Sequence, residues 1–173
     1  MMEEAPWLDD LFSATYEELR RLASSVRRDD PSATLNPTAL VNEAYLKLAR
    51  SHPARPVSTL HFKRIAARAM RQVLIEAARK RTAQKRGGPQ VLITFDDTLE
   101  AAVESSEELL ALDAALDDLS RLNPRQARMV EYRFFGGMDL QETATLLEVS
   151  ESTILRDWRA ARAWLARELR RTP

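Results

Sequence analysis

The chain has 173 residues, 45% hydrophobic and 30% charged, with 26 basic side chains balancing 26 acidic ones. This fits a soluble, helix-rich protein of one medium or two small domains. The lack of cysteine excludes a disulfide framework and thiolate-bound zinc.

The opening MMEEAPWLDD lacks the basic and apolar regions of a signal peptide, and no apolar run approaches the ~18 residues of a membrane span. The expectation is a cytoplasmic protein with no membrane partner. The zero net charge hides a sorting along the chain. Residues 62–87 carry nine Lys or Arg and one Glu, whereas residues 95–120 carry nine Asp or Glu and no base. Such segregation suggests a nucleic-acid surface beside an acidic connector.

Trp7, Leu8, Leu11, Phe12, Leu19, Leu22 and Val26 mark a first amphipathic helix, stopped near Asp29, Asp30 and Pro31. Asn36 and Pro37 form a cap and first-turn pair that opens a second. Its apolar positions are Leu40, Val41, Ala44, Tyr45 and Leu48, leaving Asn42, Glu43 and Lys47 for a partner. A long third helix is predicted over 60–84, with a core stripe of Phe62, Ile65, Ala66, Ala69, Met70, Val73, Leu74 and Ala77. Arg64, Arg68, Arg71 and Arg79 run along another face, and Gly87 and Gly88 stop it.

Residues 88–108 contain a short β-prone run, VLITF, and then acidic and small residues, which reads as a flexible or extended linker. Leu109, Leu112, Leu116 and Leu119 open the next helix. Asn123-Pro124, with Gln126 following, stops it and caps another, whose inner side is Ala127, Val130 and Phe134 and whose end is Gly136-Gly137.

Residues 139–166, DLQETATLLEVSESTILRDWRAARAWLA, form the most informative stretch. Asp139 and Glu142 have capping-box spacing, and Leu140, Ala144 and Leu147 fall on one face. Val149 plugs the bend and Ser150 caps the next helix. Ile154, Leu155, Trp158, Ala161 and Leu165 then define a buried stripe. Thr153, Arg156, Asp157, Arg159 and Arg162 fall on the other face. This is a helix-turn-helix pattern with a polar row suited to major-groove reading, in which arginine forks onto guanine edges while Ser and Thr hold phosphates. An ordinary helical hairpin with a solvated face is the bland alternative. Glu148 stands where many such turns have glycine, which predicts a looser turn.

Enzyme chemistry finds no support. His52 and His61 are the only histidines, and no HExxH, phosphate-cradling glycine loop or metal-ligand spacing occurs. No cofactor and no metal are expected.

The order of parts resembles the extracytoplasmic-function (ECF) class of bacterial RNA polymerase sigma factors over nearly the whole chain. NPTALVNEAYLKLAR looks like that family's polymerase-clamp helix: Leu40, Val41, Glu43 and Tyr45 fit, while Ala39 replaces an acid and Asn42 a glutamine. LNPRQARMVEYRFFGGMDLQETATLLEVSESTILRDWRAAR looks like its minus-thirty-five reader, and HFKRIAARAMRQVLIEAARKRTAQKR is a weaker match to its minus-ten helix. The resemblance implies an all-α protein of two helical domains: a region 2-like unit over 1–87, an acidic linker over 88–108 and a region 4-like unit over 109–173.

The implied minus-thirty-five reader is Ser152, Thr153, Arg156, Asp157, Arg159 and Arg162. The implied minus-ten contacts are His61, Phe62, Arg64, Arg68, Arg71, Arg79, Lys80 and Arg81. Leu40, Val41, Asn42, Glu43 and Tyr45 are the implied polymerase contacts. The partners would be core polymerase and promoter DNA, with an anti-sigma factor or other regulator as a further partner. A stand-alone helix-turn-helix regulator is the alternative, marked by tight operator binding without polymerase, and a helical adaptor or RNA-binding protein is a third.

Overall fold

The computed structural model describes residues 6–25, 37–51, 54–56, 58–84, 94–95, 101–102 and 106–171. Among these residues the fold is all-α, with seven helices in two helical subdomains and one very short ribbon. The first subdomain comprises α1 (Pro6–Ser25), α2 (Pro37–Ser51) and α3 (Thr59–Gln84). Leu8, Phe12 and Leu19 of α1 meet Leu40, Val41, Ala44 and Leu48 of α2 and Phe62, Ala66 and Met70 of α3, all buried. Phe12 also packs edge-on against Tyr45, with ring centroids 4.9 Å apart. The expected cap at Asn36, the stop at residues 29–31, Val26 and the stop at Gly87-Gly88 lie outside the described residues.

Within the stretch read as a linker, β1 (Thr94–Phe95) pairs antiparallel with β2 (Ala101–Ala102), in the register Thr94 to Ala102. The helix α4 begins at Ser106, so residues 106–108, read as the end of the linker, are helical and Glu108 is buried. An acidic first turn of Glu107 and Glu108 complements the helix dipole.

The second subdomain contains α4 (Ser106–Leu122), α5 (Pro124–Gly136), α6 (Leu140–Leu147) and α7 (Glu151–Arg171). Asn123 caps α5 by accepting from the Gln126 amide at 3.2 Å, with Pro124 in the first turn. Gly137, at φ 62°, takes the left-handed turn that ends α5, and the Met138 amide then donates to the Tyr132 carbonyl. The predicted inner side of Ala127, Val130 and Phe134 is buried, and so are Met129, Tyr132, Phe135 and Gly136. The reason is that α5 is enclosed by α3, α4, α6 and α7. Its most extensive neighbour is α3 of the first subdomain, so the two subdomains share one continuous core.

Candidate nucleic-acid interface

Helices α6 and α7 are joined by three residues, each with a distinct role. The capping box is formed in full: Asp139 Oδ1 accepts from the Glu142 amide at 2.7 Å and Glu142 Oε2 accepts from the Asp139 amide at 3.0 Å. Glu148 itself adopts the left-handed conformation, at φ 55° and ψ 43°, and its amide and that of Val149 return to carbonyls at the end of α6. The looser turn predicted from the missing glycine is therefore not found. The chain keeps the tight geometry and accepts a left-handed residue with a Cβ, at a cost of about 1–2 kcal/mol. Ser150 Oγ accepts from the Thr153 amide at 3.1 Å and caps α7.

The core side of α7 consists of Ile154, Asp157, Trp158, Ala161, Leu165 and Leu169. Two expectations change places. Leu155, read as core, is 41% exposed, whereas Asp157, read as part of the reading row, is 4% exposed. Arg125 of α5 donates to Asp157 through Nε at 2.7 Å and Nη2 at 3.3 Å, which satisfies the buried carboxylate. Asp157 thus ties α7 to α5.

The outer row is Ser152, Arg156 and Arg159, all exposed, with Leu155 beside them. No described carboxylate pairs with Arg156 or Arg159. Thr153 is half-buried, its hydroxyl 2.9 Å from Ser150 Oγ, and Arg162 is half-buried on the flank.

The residues expected at the minus-ten surface separate into three groups. Arg64, Arg68, Arg79 and Lys80 are exposed along α3. His61 and Arg81 are half-buried, His61 donating its amide to Ser58 Oγ at the helix start. Phe62 is 1% exposed and belongs to the core, so it is not available to stack on a base. Arg71 is also withdrawn from the surface, between Asp113, Asp117 and Glu131. Burial opposes its charge, but hydrogen bonding to Asp113 and the nearby charges of Asp113 and Glu131 outweigh that and raise its pKa.

Two further cations join this surface: Lys47 of α2, read from the sequence as facing a partner and here 2.8 Å from Glu76, and Arg128 of α5, which sequence reading missed. An open cleft of about 570 Å³ between α2, α3 and α5 brings Arg64 and Arg68 beside Lys47 and Arg128. Tyr132 forms part of its wall; burial raises the pKa of its hydroxyl against the lowering influence of Arg64 and Arg128. Arg133, in the last turn of α5, is desolvated enough to lower its pKa despite the charge of Asp139.

A helix-turn-helix whose second helix exposes two arginines that no described carboxylate pairs, in one chain with a long basic helix, fits a DNA-binding protein. The family model described as ECF sigma factor matches residues 4–171. The chain belongs to the ECF sigma factor family. No curated protein and no solved structure matches it.

An ECF sigma factor is a non-catalytic protein of transcription initiation, and membership implies RNA polymerase and promoter DNA as partners. Among the described residues no acidic or histidine cluster is arranged to hold a metal, and no helix is long and apolar enough to cross a membrane.

On the sigma factor's α2, Leu40 and Val41 are 0% exposed and pack inward. They support the helix and cannot themselves face polymerase. Asn42 and Glu43 are exposed, Tyr45 is half-buried with its hydroxyl donating to Asp9, and Leu46 is 41% exposed. Between Leu40 and Leu46 the exposed side chains of α2 are therefore Asn42, Glu43 and Leu46.

Proposed function

We propose that this ECF sigma factor addresses core polymerase to promoters through two separate readers, a region 2-like unit over 1–87 and a region 4-like unit over 109–173. The observation that carries the reading is the exposed row of Ser152, Arg156 and Arg159 on a doubly capped helix-turn-helix. Arg156 and Arg159 contact guanine edges or phosphates in the minus-thirty-five major groove, and Ser152 holds a phosphate near the helix N-terminus. Leu155, beside them, offers an apolar contact of the kind a thymine methyl accepts.

Arg64, Arg68, Arg79 and Lys80 follow the minus-ten backbone, each phosphate contact adding to the salt dependence. Asn42, Glu43 and Leu46 meet the polymerase clamp. Tethering both readers on one polymerase raises the effective concentration of the second once the first is bound, so neither needs high affinity alone. By the same reading the sigma factor works in the cytoplasm and an anti-sigma factor or similar regulator masks one of these faces. The test is holoenzyme binding to promoter duplexes with Arg156→Ala and Arg159→Ala. Loss of sequence preference with intact polymerase association supports the assignment; unchanged preference removes both arginines from the reading row.

A further inference from the structure

One stripe of α3 faces the second subdomain instead of solvent. Lys63, Ala67, Arg71 and Ile75 recur every four residues and so share a face of the helix. Lys63 Nζ lies 2.7 Å from Glu142 of α6 and 2.8 Å from Glu18 of α1, so the carboxylate that closes the α6 capping box also holds α3. Ala67 is 0% exposed against Gly136 of α5, where a Cβ added to the glycine would come within 2.9 Å of the Ala67 Cβ. The α5 backbone approaches α3 at a distance that only glycine permits.

Arg71 spends every guanidinium nitrogen on this interface. Nε donates to Asp113 at 2.7 Å, Nη1 to Glu131 at 3.2 Å, and Nη2 to Asp117 at 3.0 Å and to the Asp113 carbonyl. Three carboxylates around one arginine occupy it as phosphates would. Ile75 is 4% exposed on the same stripe. Arg64 and Arg68, a quarter-turn away, remain exposed.

We propose that this stripe is an intramolecular latch: α4, α5 and α6 cover one basic face of α3 in the free sigma factor, and engagement of both promoter elements requires the stripe to part. The inference rests on the two-reader assignment above, because it takes α3 as a DNA-contacting helix.

The dimensions support it. Elements 25 base pairs apart are separated by about 85 Å at 3.4 Å per pair, whereas a compact chain of this length is roughly 40 Å across. With the β1–β2 ribbon unpaired, the 21 residues between Gln84 and Ser106 reach at most about 75 Å. Once the stripe separates, that length and the width of the two units span the interval. The α7 row stays exposed while the latch is closed, so the free chain keeps its duplex reader and withholds Lys63 and Arg71.

The chain has no cysteine, so Ser13→Cys on α1 and Ser120→Cys on α4, both exposed, are the two thiols that take a donor and acceptor dye pair, and the distance read does not depend on which dye is on which. The full chain is measured free and in holoenzyme on promoter DNA, alone and with Asp113→Asn, Asp117→Asn and Glu131→Gln together. A single short distance in the free chain, its lengthening in holoenzyme, and an open population raised about tenfold or more in the free triple variant are expected. Gly136→Val opens the latch without a charge change and should raise the open population in the same direction.

A free chain that is already extended overturns the latch and leaves the two-reader assignment standing. An active holoenzyme that retains the short distance also overturns it. Failure to join polymerase removes the two-reader assignment, while the free-chain distance and its response to Gly136→Val still report whether the stripe closes.

Discussion

Replacing Arg125 by alanine should cost more folding stability than replacing Asp157, although the two make one ion pair. The Asp157 side chain is 6% exposed and that of Arg125 43% exposed. Arg125→Ala leaves a carboxylate desolvated and without its cation, which costs about 3 kcal/mol, the low end of the range for a broken buried pair because Arg125 is itself partly hydrated. Asp157→Ala lets Arg125 turn to water and loses about 1.5–2 kcal/mol, the value of charge-assisted hydrogen bonds. The double variant should fall short of the sum by about 1–2 kcal/mol, since the charge stranded by Arg125→Ala is gone.

Urea unfolding followed by tryptophan fluorescence, to which Trp158 beside Asp157 and Trp164 on the same helix contribute together with Trp7 of α1, reads all three variants. For a chain of this size 3 kcal/mol corresponds to roughly 6–12 °C in Tm. Promoter preference should survive Asp157→Ala. A variant that keeps full stability but loses minus-thirty-five preference would refute the reasoning and return Asp157 to the reading row.

Glu148→Gly should stabilise the helix-turn-helix by about 0.5–1 kcal/mol, the left-handed penalty less the added entropy of the unfolded glycine, as a higher Tm; a lower Tm would contradict the turn geometry. Arg156→Ala should weaken holoenzyme binding to the minus-thirty-five duplex by about 1–3 kcal/mol and leave stability within about 0.5 kcal/mol, checked by binding and melting on one preparation. Leu46→Asp should reduce association with core polymerase in pull-down while melting normally, whereas Leu40→Ala should cost about 2–5 kcal/mol of stability; the reverse pattern would place Leu40 at the polymerase face.

Burial opposes the charge of Lys63, but Glu142 and Glu18 outweigh it and raise its pKa. The stability it contributes is fully present below its unfolded pKa of roughly 10.4 and lost as pH rises through the higher folded value. The stability gap between the parent and Lys63→Met should therefore stay level from about pH 7 to 9 and close above about pH 10.

Local signals carried most of the second subdomain. Asn123-Pro124, the Asp139 and Glu142 pair and Ser150 form the expected caps because each needs only its own neighbours in sequence. The exchange of Leu155 and Asp157 shows the limit of reading by residue type. At 100° per residue Asp157 lies roughly 60° from the centre of the Ile154, Ala161 and Leu165 stripe and Leu155 roughly 100° from it. Angle alone would have placed both, but the partner that makes a buried aspartate tolerable, Arg125, is on another helix. Periodicity places Phe62, Leu40 and Val41 in the core and the family resemblance places them at interfaces; the three-helix packing buries all three, as the periodicity has it.

The stripe of Lys63, Ala67, Arg71 and Ile75 was beyond sequence reading because its partners lie 42 to 79 positions away. The opposed charge blocks hinted at an attraction without saying which side chains meet. Gly136 read as a helix stop, yet it also sets a helix crossing that depends on Ala67 in another subdomain.

Reconstituted transcription with core RNA polymerase on a genomic promoter library tests the central claim most directly. The chain should redirect initiation to a set of start sites sharing elements near minus ten and minus thirty-five, and Arg156→Ala should relax preference at the upstream element alone. Start sites unchanged from those of core polymerase without the chain would contradict the account.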